Sequence, residues 1–444
     1  MRKAVTVILE RNKKFLTIKR QEHLSVFPGY TAFPGGKVDK EDLTNQHPEL
    51  DRLNTIKHSS DLIMALYREV KEETGLDLIE LHKNSLISKV SYFGNAVTPS
   101  FNPYRFDTYF YLVSLNDPHE KINFQFDDGE VFETFWWNAK EALQEYELNN
   151  ILCVPPTISC FKAFDQFLND EKEVDLNLDY DDQKEIAMIE SLYGIKQFLP
   201  LSNTFPPANR TNSFLINDTL IDPSPKNEEE LEKFKYSLKE FSIHAIFITH
   251  HHPDHHEYSV PLAKHLGCPI KISQDSHDRI LTKYGKEYFN GVKIDIVKEA
   301  DTLTTLADGR KVSLFAVPGH DEGQLAITDS ENKWVIVGDL IQSVGTVVIG
   351  APEGNMQKYF DSLEKVIALC PKFIIPSHGI ALGGVYKLKM TLKHRKMREK
   401  TIIELLSKNK TIEEIYEHIY EGLDPRLKKY ALKTIHAHID KINS

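Results

Sequence analysis

Short apolar runs and helix-patterned segments alternate along this chain, which predicts an α/β protein. Three observations carry that class. First, Ala245-Ile246-Phe247-Ile248-Thr249, Ser313-Leu314-Phe315-Ala316-Val317, Trp334-Val335-Ile336-Val337 and Phe373-Ile374-Ile375 are continuous, β-prone and too short for buried helices. Second, helix patterns such as 228–239 and 260–266 stand among these strands. Third, 444 residues suggest two or three such domains rather than one.

Near the start, Ala4-Val5-Thr6-Val7-Ile8-Leu9 and Phe15-Leu16-Thr17-Ile18 alternate about a polar turn and predict a hairpin over 4–19. Gly35-Gly36 and a polar stretch over about 39–60 follow. The next pattern predicts a helix over 62–76, stopped at Gly75. On it Glu69, Glu72 and Glu73 fall at i, i+3 and i+4, along one face. Like charges so spaced repel, which favours a counter-ion, and hard cations such as Mg²⁺ take carboxylate oxygens. The bland alternative is an acidic surface helix. Strand-rich sequence continues over 90–137, where Glu130 and Glu133 fit either a solvated strand edge or an extra acid of a site. Helices are predicted over 139–146 and 157–168, and the acidic, aperiodic 169–186 reads as a linker.

The run Thr249-His250-His251-His252-Pro253-Asp254-His255-His256 begins where the expected 245–249 strand ends. No packed core calls for five imidazoles at one point, and neutral imidazole is the commonest side-chain metal ligand. The other three runs end in Pro318-Gly319-His320, Gly338-Asp339 and Pro376-Ser377-His378-Gly379. Strands lying side by side would pool His250, His252, Asp254, His255, His320, Asp339 and His378 at one mouth. Seven N/O ligands exceed one tetrahedral zinc and suit two metals sharing a carboxylate. Any one of the later residues alone reads more readily as a surface histidine or turn aspartate; their recurrence argues for the site.

After Gly384 the composition turns basic. Helices are predicted over 386–407, 412–420 and 426–442, with 14 Lys/Arg against 8 Asp/Glu between Lys387 and Lys441. The tail is either a packing module with a solvated basic face or a guide for phosphates. The whole chain carries −11, which argues against broad non-specific nucleic-acid affinity. No apolar run reaches the ~18 residues of a membrane span, and no secretory signal opens the sequence. Cys153, Cys160, Cys268 and Cys370 are sparse and irregular, as in a reduced compartment, so a cytoplasmic protein is expected.

The pattern His250-x-His252-x-Asp254-His255, then His320, Asp339 and His378, resembles the metallo-β-lactamase fold superfamily over about 195–385. The resemblance implies that His250, His252 and His320 hold one metal. It implies that Asp254, His255 and His378 hold a second and that Asp339 bridges. Thr211-Asn212-Ser213-Phe214-Leu215, Pro352-Glu353-Gly354-Asn355-Met356 and His394-Arg395-x-x-Arg398-Glu399 look like the β-lactamase-like protein 2 group, which includes an endoribonuclease. A Gly pair usually follows the histidine motif; His256-Glu257 stand there instead.

Gly35-Gly36 with Arg68-Glu69-Val70-x-Glu72-Glu73-x-Gly75-Leu76 resembles the Nudix box. That implies Mg²⁺ or Mn²⁺ on Glu69, Glu72 and Glu73, with Arg68 fixing a carboxylate. Counted from Gly36, the Arg is expected at 50 and stands at 68, an insertion of 18 residues, and Asp42 replaces the usual upstream Glu. Pro28-Gly29-x-x-x-Phe33-Pro34 partly matches coenzyme A-type relatives.

Together the resemblances imply an N-terminal Nudix α/β/α sandwich over 1–170, an acidic linker over 171–190, a metallo-β-lactamase αββα sandwich over 191–385 and a small helical winged-helix-like tail over 386–444. They imply two hydrolases: one for a nucleoside diphosphate derivative, one for single-stranded RNA or an acyl-thioester. At the second site they imply two divalent metals, zinc first, although His/Asp ligands also suit iron and manganese. Asp254 has a second implied role, orienting the nucleophile. The competing reading is a thioester hydrolase whose Nudix domain only binds a nucleotide and regulates.

Overall fold

The computed structural model describes residues 1–44, 58–102, 104–117 and 119–444. The chain divides into two compact units, Met1–Tyr180 with Glu190–Tyr193, and Asp181–Ile189 with Gly194–Ser444.

The first unit is built on Arg2–Arg11, which pairs antiparallel with Lys14–Arg20 and Gly35–Lys37 and parallel with Phe106–Leu115. Val131–Trp137 extends the sheet beyond Lys14–Arg20, and Ile87–Val97 lies beside Phe106–Leu115. The period-2 alternation sends Val5, Val7 and Leu9 to one face, where Leu62, Ile63, Leu66 and Val70 of helix Ser60–Thr74 cover them. Ile8 and Phe15 face the opposite way, under helices Ala139–Glu147 and Pro155–Asp170. The result is an α/β/α sandwich. Helix Ser60–Thr74 stops at Gly75 (φ +72°), where a Cβ would sit 2.8 Å from the Gln125 side chain. Most of the inserted polar stretch, residues 45–57, lies outside the described residues; of its remainder, Lys40–Thr44 is a helical turn. Within the stretch expected to be a linker, Val174–Asp175 pairs with Gly94 and Asn95 of the first unit. Two residues carry no readable alternation, so this strand had no sequence signal.

The second unit contains two sheets. One runs Ile294–Ile296, Ile270–Ile272, Ala245–Ile248, Thr219–Ile221, Ser213–Ile216, Ile195–Phe198. The other runs Thr302–Thr305, Lys311–Ala316, Leu325–Asp329, Trp334–Gly338, Phe373–Pro376, Leu382–Gly383. Helices Glu228–Leu238, Ser259–Leu266 and Gln274–Tyr284 cover the first through Leu231, Phe234, Leu262 and Ile280. Met356–Leu369 and Tyr386–Ser407 cover the second through Phe360, Leu363, Val366 and Leu388. This is the αββα arrangement. Trp334, fully buried, opens the strand Trp334–Gly338, which Asp339 follows. The tail is helical throughout, Tyr386–Ser407, Ile412–Ile419 and Lys428–Asn443, with no strand after Leu382–Gly383 among the described residues.

Candidate metal centres

The strand Ala245–Ile248 delivers His250 and His252 to its C-terminal end, and the short helix Pro253–His256 presents Asp254 and His255 one turn on. His320 follows Lys311–Ala316, Asp339 follows Trp334–Gly338, and His378 follows Phe373–Pro376. All seven side chains meet. His250, His252 and His320 present ligand atoms within 4.8 Å of one another; so do Asp254, His255 and His378, and so do His250, His255 and Asp339. His252 Nδ1 lies 3.0 Å from Nε2 of both His250 and His320. Asp339 Oδ1 stands 3.3 Å from His378 Nε2 and 3.7 Å from His255 Nε2, while its Oδ2 stands 3.7 Å from His320 Nε2. Asp339 thus faces ligands of both groups.

Most outward ring nitrogens are committed. His255 Nδ1 lies 2.8 Å from Asp222 Oδ2, His320 Nδ1 3.0 Å from Val348 O, and His378 Nδ1 2.9 Å from Arg210 O. Asp222 also accepts from the Thr249 amide at 2.8 Å and its hydroxyl at 2.7 Å, and the hydroxyl lies 3.0 Å from His250 Nδ1. Outer partners of this kind fix ring orientation and leave the other nitrogen for a cation.

The inward atoms are not satisfied. Nε2 of His255 and His378 and Oδ1 of Asp339 are buried with no hydrogen bond. An orphaned buried polar atom costs on the order of 1–3 kcal/mol, and a divalent cation at this point would satisfy all three. Burial and the neighbouring imidazoles hold His250 and His252 well below the usual histidine range, as ligation needs. At His255 burial opposes the proton, but Asp222, Asp254 and Asp339 outweigh it and raise the pKa. Chemistry and spacing fit a pair of divalent metals.

Sequence reading missed Asp222, which meets His255 from 33 residues away. It also missed the buried contact between His251 Nδ1 and Asp321 Oδ2 behind the motif. His256, where a Gly was expected, is buried with Nδ1 2.7 Å from Tyr288 Oη.

In the first unit the glutamate face is divided: Glu69 and Glu73 are buried and Glu72 is exposed. Glu73 accepts from the Gly35 amide at 2.9 Å. Arg68 Nη1 donates to Glu69 at 2.8 Å and to Glu72 at 3.0 Å. Its Nε and Nη2 form a fork onto Asp42 at 3.1 and 2.9 Å. Asp42, itself buried, thus anchors Arg68 beside the glutamates. Burial pushes the Glu73 carboxyl up to about 8 and raises Glu69 as well, against the pull of Arg68. A Cβ on Gly36 would fall 2.3 Å from a Glu69 oxygen, which accounts for the Gly. The three glutamates do not form a set within 4.8 Å among the described residues. Glu130 lies close enough to add to the upward shift of Glu73, whereas Glu133 is exposed.

Folds and gathered side chains define the class: two hydrolase domains in one chain, both of families that use divalent metal. Residues 1–152 match the NUDIX domain and residues 207–378 the metallo-beta-lactamase superfamily. The chain therefore joins a NUDIX domain to a metallo-beta-lactamase superfamily domain. It is 27% identical over 215 residues to a Caenorhabditis elegans beta-lactamase-like protein 2 homolog, covering 46% of this chain and 67% of the relative. It is 28% identical over 131 residues to the hydroxyacylglutathione hydrolase of Bdellovibrio bacteriovorus, covering 30% of this chain and 47% of that enzyme. The chain thus spans about two thirds of the first relative and under half of the second. A β-lactamase domain protein from Burkholderia ambifaria shares the fold, with a TM-score of 0.50, 17% identity, and coverage of 60% and 89%. Among the described residues no helix is long and apolar enough to cross a membrane.

Proposed function

We propose that the chain is two metal-dependent hydrolases in series: a diphosphatase over 1–170, and a metallohydrolase over 191–385 carrying a helical tail over 386–444. The observation that carries the second is the convergence of His250, His252, Asp254, His255, His320, Asp339 and His378, with three of their atoms orphaned. His250, His252 and His320 would hold one cation and Asp254, His255 and His378 the other, with Asp339 facing both groups. Cations so held supply Lewis acidity, lowering the pKa of water and stabilising developing oxyanion charge. Zinc is the first choice. Asp254, a sixth exposed, also orients the attacking water.

For the substrate we favour an ester or thioester, supported by the relatives named hydroxyacylglutathione hydrolases. The second reading is a phosphodiester of single-stranded RNA, supported by the basic tail. An acyl-thioester panel and a labelled oligonucleotide, each offered to metal-loaded protein, separate them. Thioester turnover without RNA cleavage is the expected result; cleavage of the oligonucleotide alone would reverse it, and neither would sink both.

In the first domain Glu69, Glu72 and Glu73 take Mg²⁺ or Mn²⁺ beside a nucleoside diphosphate derivative, coenzyme A-like in one version. Two buried carboxyls with raised pKa values support a cation there. Arg68, anchored on Asp42, sets the glutamates' orientation. Nucleotide binding without turnover would instead leave this domain a regulator. A reducing, cytoplasmic setting agrees with the buried free thiols Cys153, Cys160 and Cys268.

A further inference from the structure

We propose that the C-terminal helices complete the metal centre: Lys433 and Arg395 act through the strap 345–355 to position His320 and Glu353, and so set the tightness of metal binding. This rests on the reading of the histidine cluster as a metal site.

The strap has two sides. On the inner side, His320 Nδ1 lies 3.0 Å from Val348 O, so this carbonyl orients the ring. The Asn355 amide donates to Gly319 O at 2.8 Å, and a Cβ on Gly354 would fall 2.8 Å from Gly319 O and 3.1 Å from His320 O. The strap and the turn carrying His320 are thus in direct backbone contact. Glu353 offers an oxygen within 4.8 Å of ligand atoms of both His251 and His252.

On the outer side stands the tail. Arg395, 4% exposed on helix Tyr386–Ser407, donates through Nη2 to Val347 O, the carbonyl next to the one that faces His320. Lys433 of helix Lys428–Asn443 donates to Glu353 Oε2 at 2.8 Å. A Cβ on Gly350 would lie 2.5 Å from Lys433 Cγ, so helix and strap touch there too. Movement of the tail therefore shifts the backbone that aims His320 and releases the carboxylate beside His252. Partners that orient metal ligands are worth about 10–100-fold in metal affinity.

The test reads affinity, not turnover. Co²⁺ is titrated into the full-length chain against a competing chelator, and its visible absorption reports ligand geometry. Lys433→Met and Glu353→Gln should each weaken Co²⁺ binding about 10-fold. Lys433→Arg should hold close to wild type. The double variant should lose no more than either single, because the two residues act as one unit. A purely structural contact would lower the melting temperature of Lys433→Met and leave Co²⁺ affinity and spectrum alone, which would overturn the coupling. Additive losses would overturn it as well. A wild-type chain that takes up no Co²⁺ would sink the metal centre itself and the coupling with it.

Discussion

Asp222 holds the Thr249 amide, the Thr249 hydroxyl and His255 Nδ1 at once, so removing its carboxylate frees three groups beside two ligands. Asp222→Ala should cost about 10–100-fold in metal affinity, measured by competition with a chelator. In the other domain the sensitive position is Gly36, where any Cβ meets the Glu69 carboxylate. Gly36→Ala should lower diphosphate hydrolysis by about 10²-fold through displaced Glu69 while leaving thioester turnover intact. An unchanged diphosphatase rate would show that Glu69 does not work from its present position. Residues of this kind differ in legibility. The seven clustered side chains were readable because each closes an apolar run or lies at fixed spacing within one motif. Asp222 lies 27 residues from Thr249 and 33 from His255, and no period or motif ties such partners together.

Elements were legible where burial imposed a period. Tyr386–Ser407 matched its expected limits, and Glu228–Leu238 and Pro155–Asp170 came within two residues of theirs. Two-residue strands were not legible, since they have no period to read. The last helix also carries a pH response. Burial lowers the His438 pKa from its ordinary value to about 4, with Arg395 and Arg398 assisting and Glu399 opposing. Lys441, bonded to Glu399 at 2.7 Å, faces the same point. A histidine depressed in the folded state favours folding in its neutral form. Its contribution is complete above the unfolded pKa of ~6.5 and is lost as pH falls through about 4, on the order of 3 kcal/mol. Tail stability, followed by amide exchange of Lys428–Asn443, should decline across that window. His438→Gln should flatten the decline; a slope unchanged by the substitution would exclude His438 as its source.

At the scale of the whole chain, the two sites are made from separate sets of residues within separate compact units. Asp254→Ala should abolish metal-dependent ester or thioester turnover and spare the diphosphatase, and Glu72→Gln should do the reverse. Loss of both activities from either change would mean that the sites are coupled. The two-domain organisation was readable because each domain carries its own ligand pattern. The attachment of residues 174–175 to the first unit was not, because an acidic, aperiodic stretch gives no sign of strand pairing.

Trp334 gives this chain a built-in optical probe. The chain has three tryptophans; Trp136 and Trp137 adjoin in the first unit, and Trp334 is fully enclosed on the strand leading to Asp339. With Trp136 and Trp137 replaced by Phe, all remaining indole fluorescence comes from one buried position a few residues from Asp339. Its emission should be blue-shifted in the native fold and move red only when the second unit opens, so the melting of one half of the molecule can be recorded without separating it from the other.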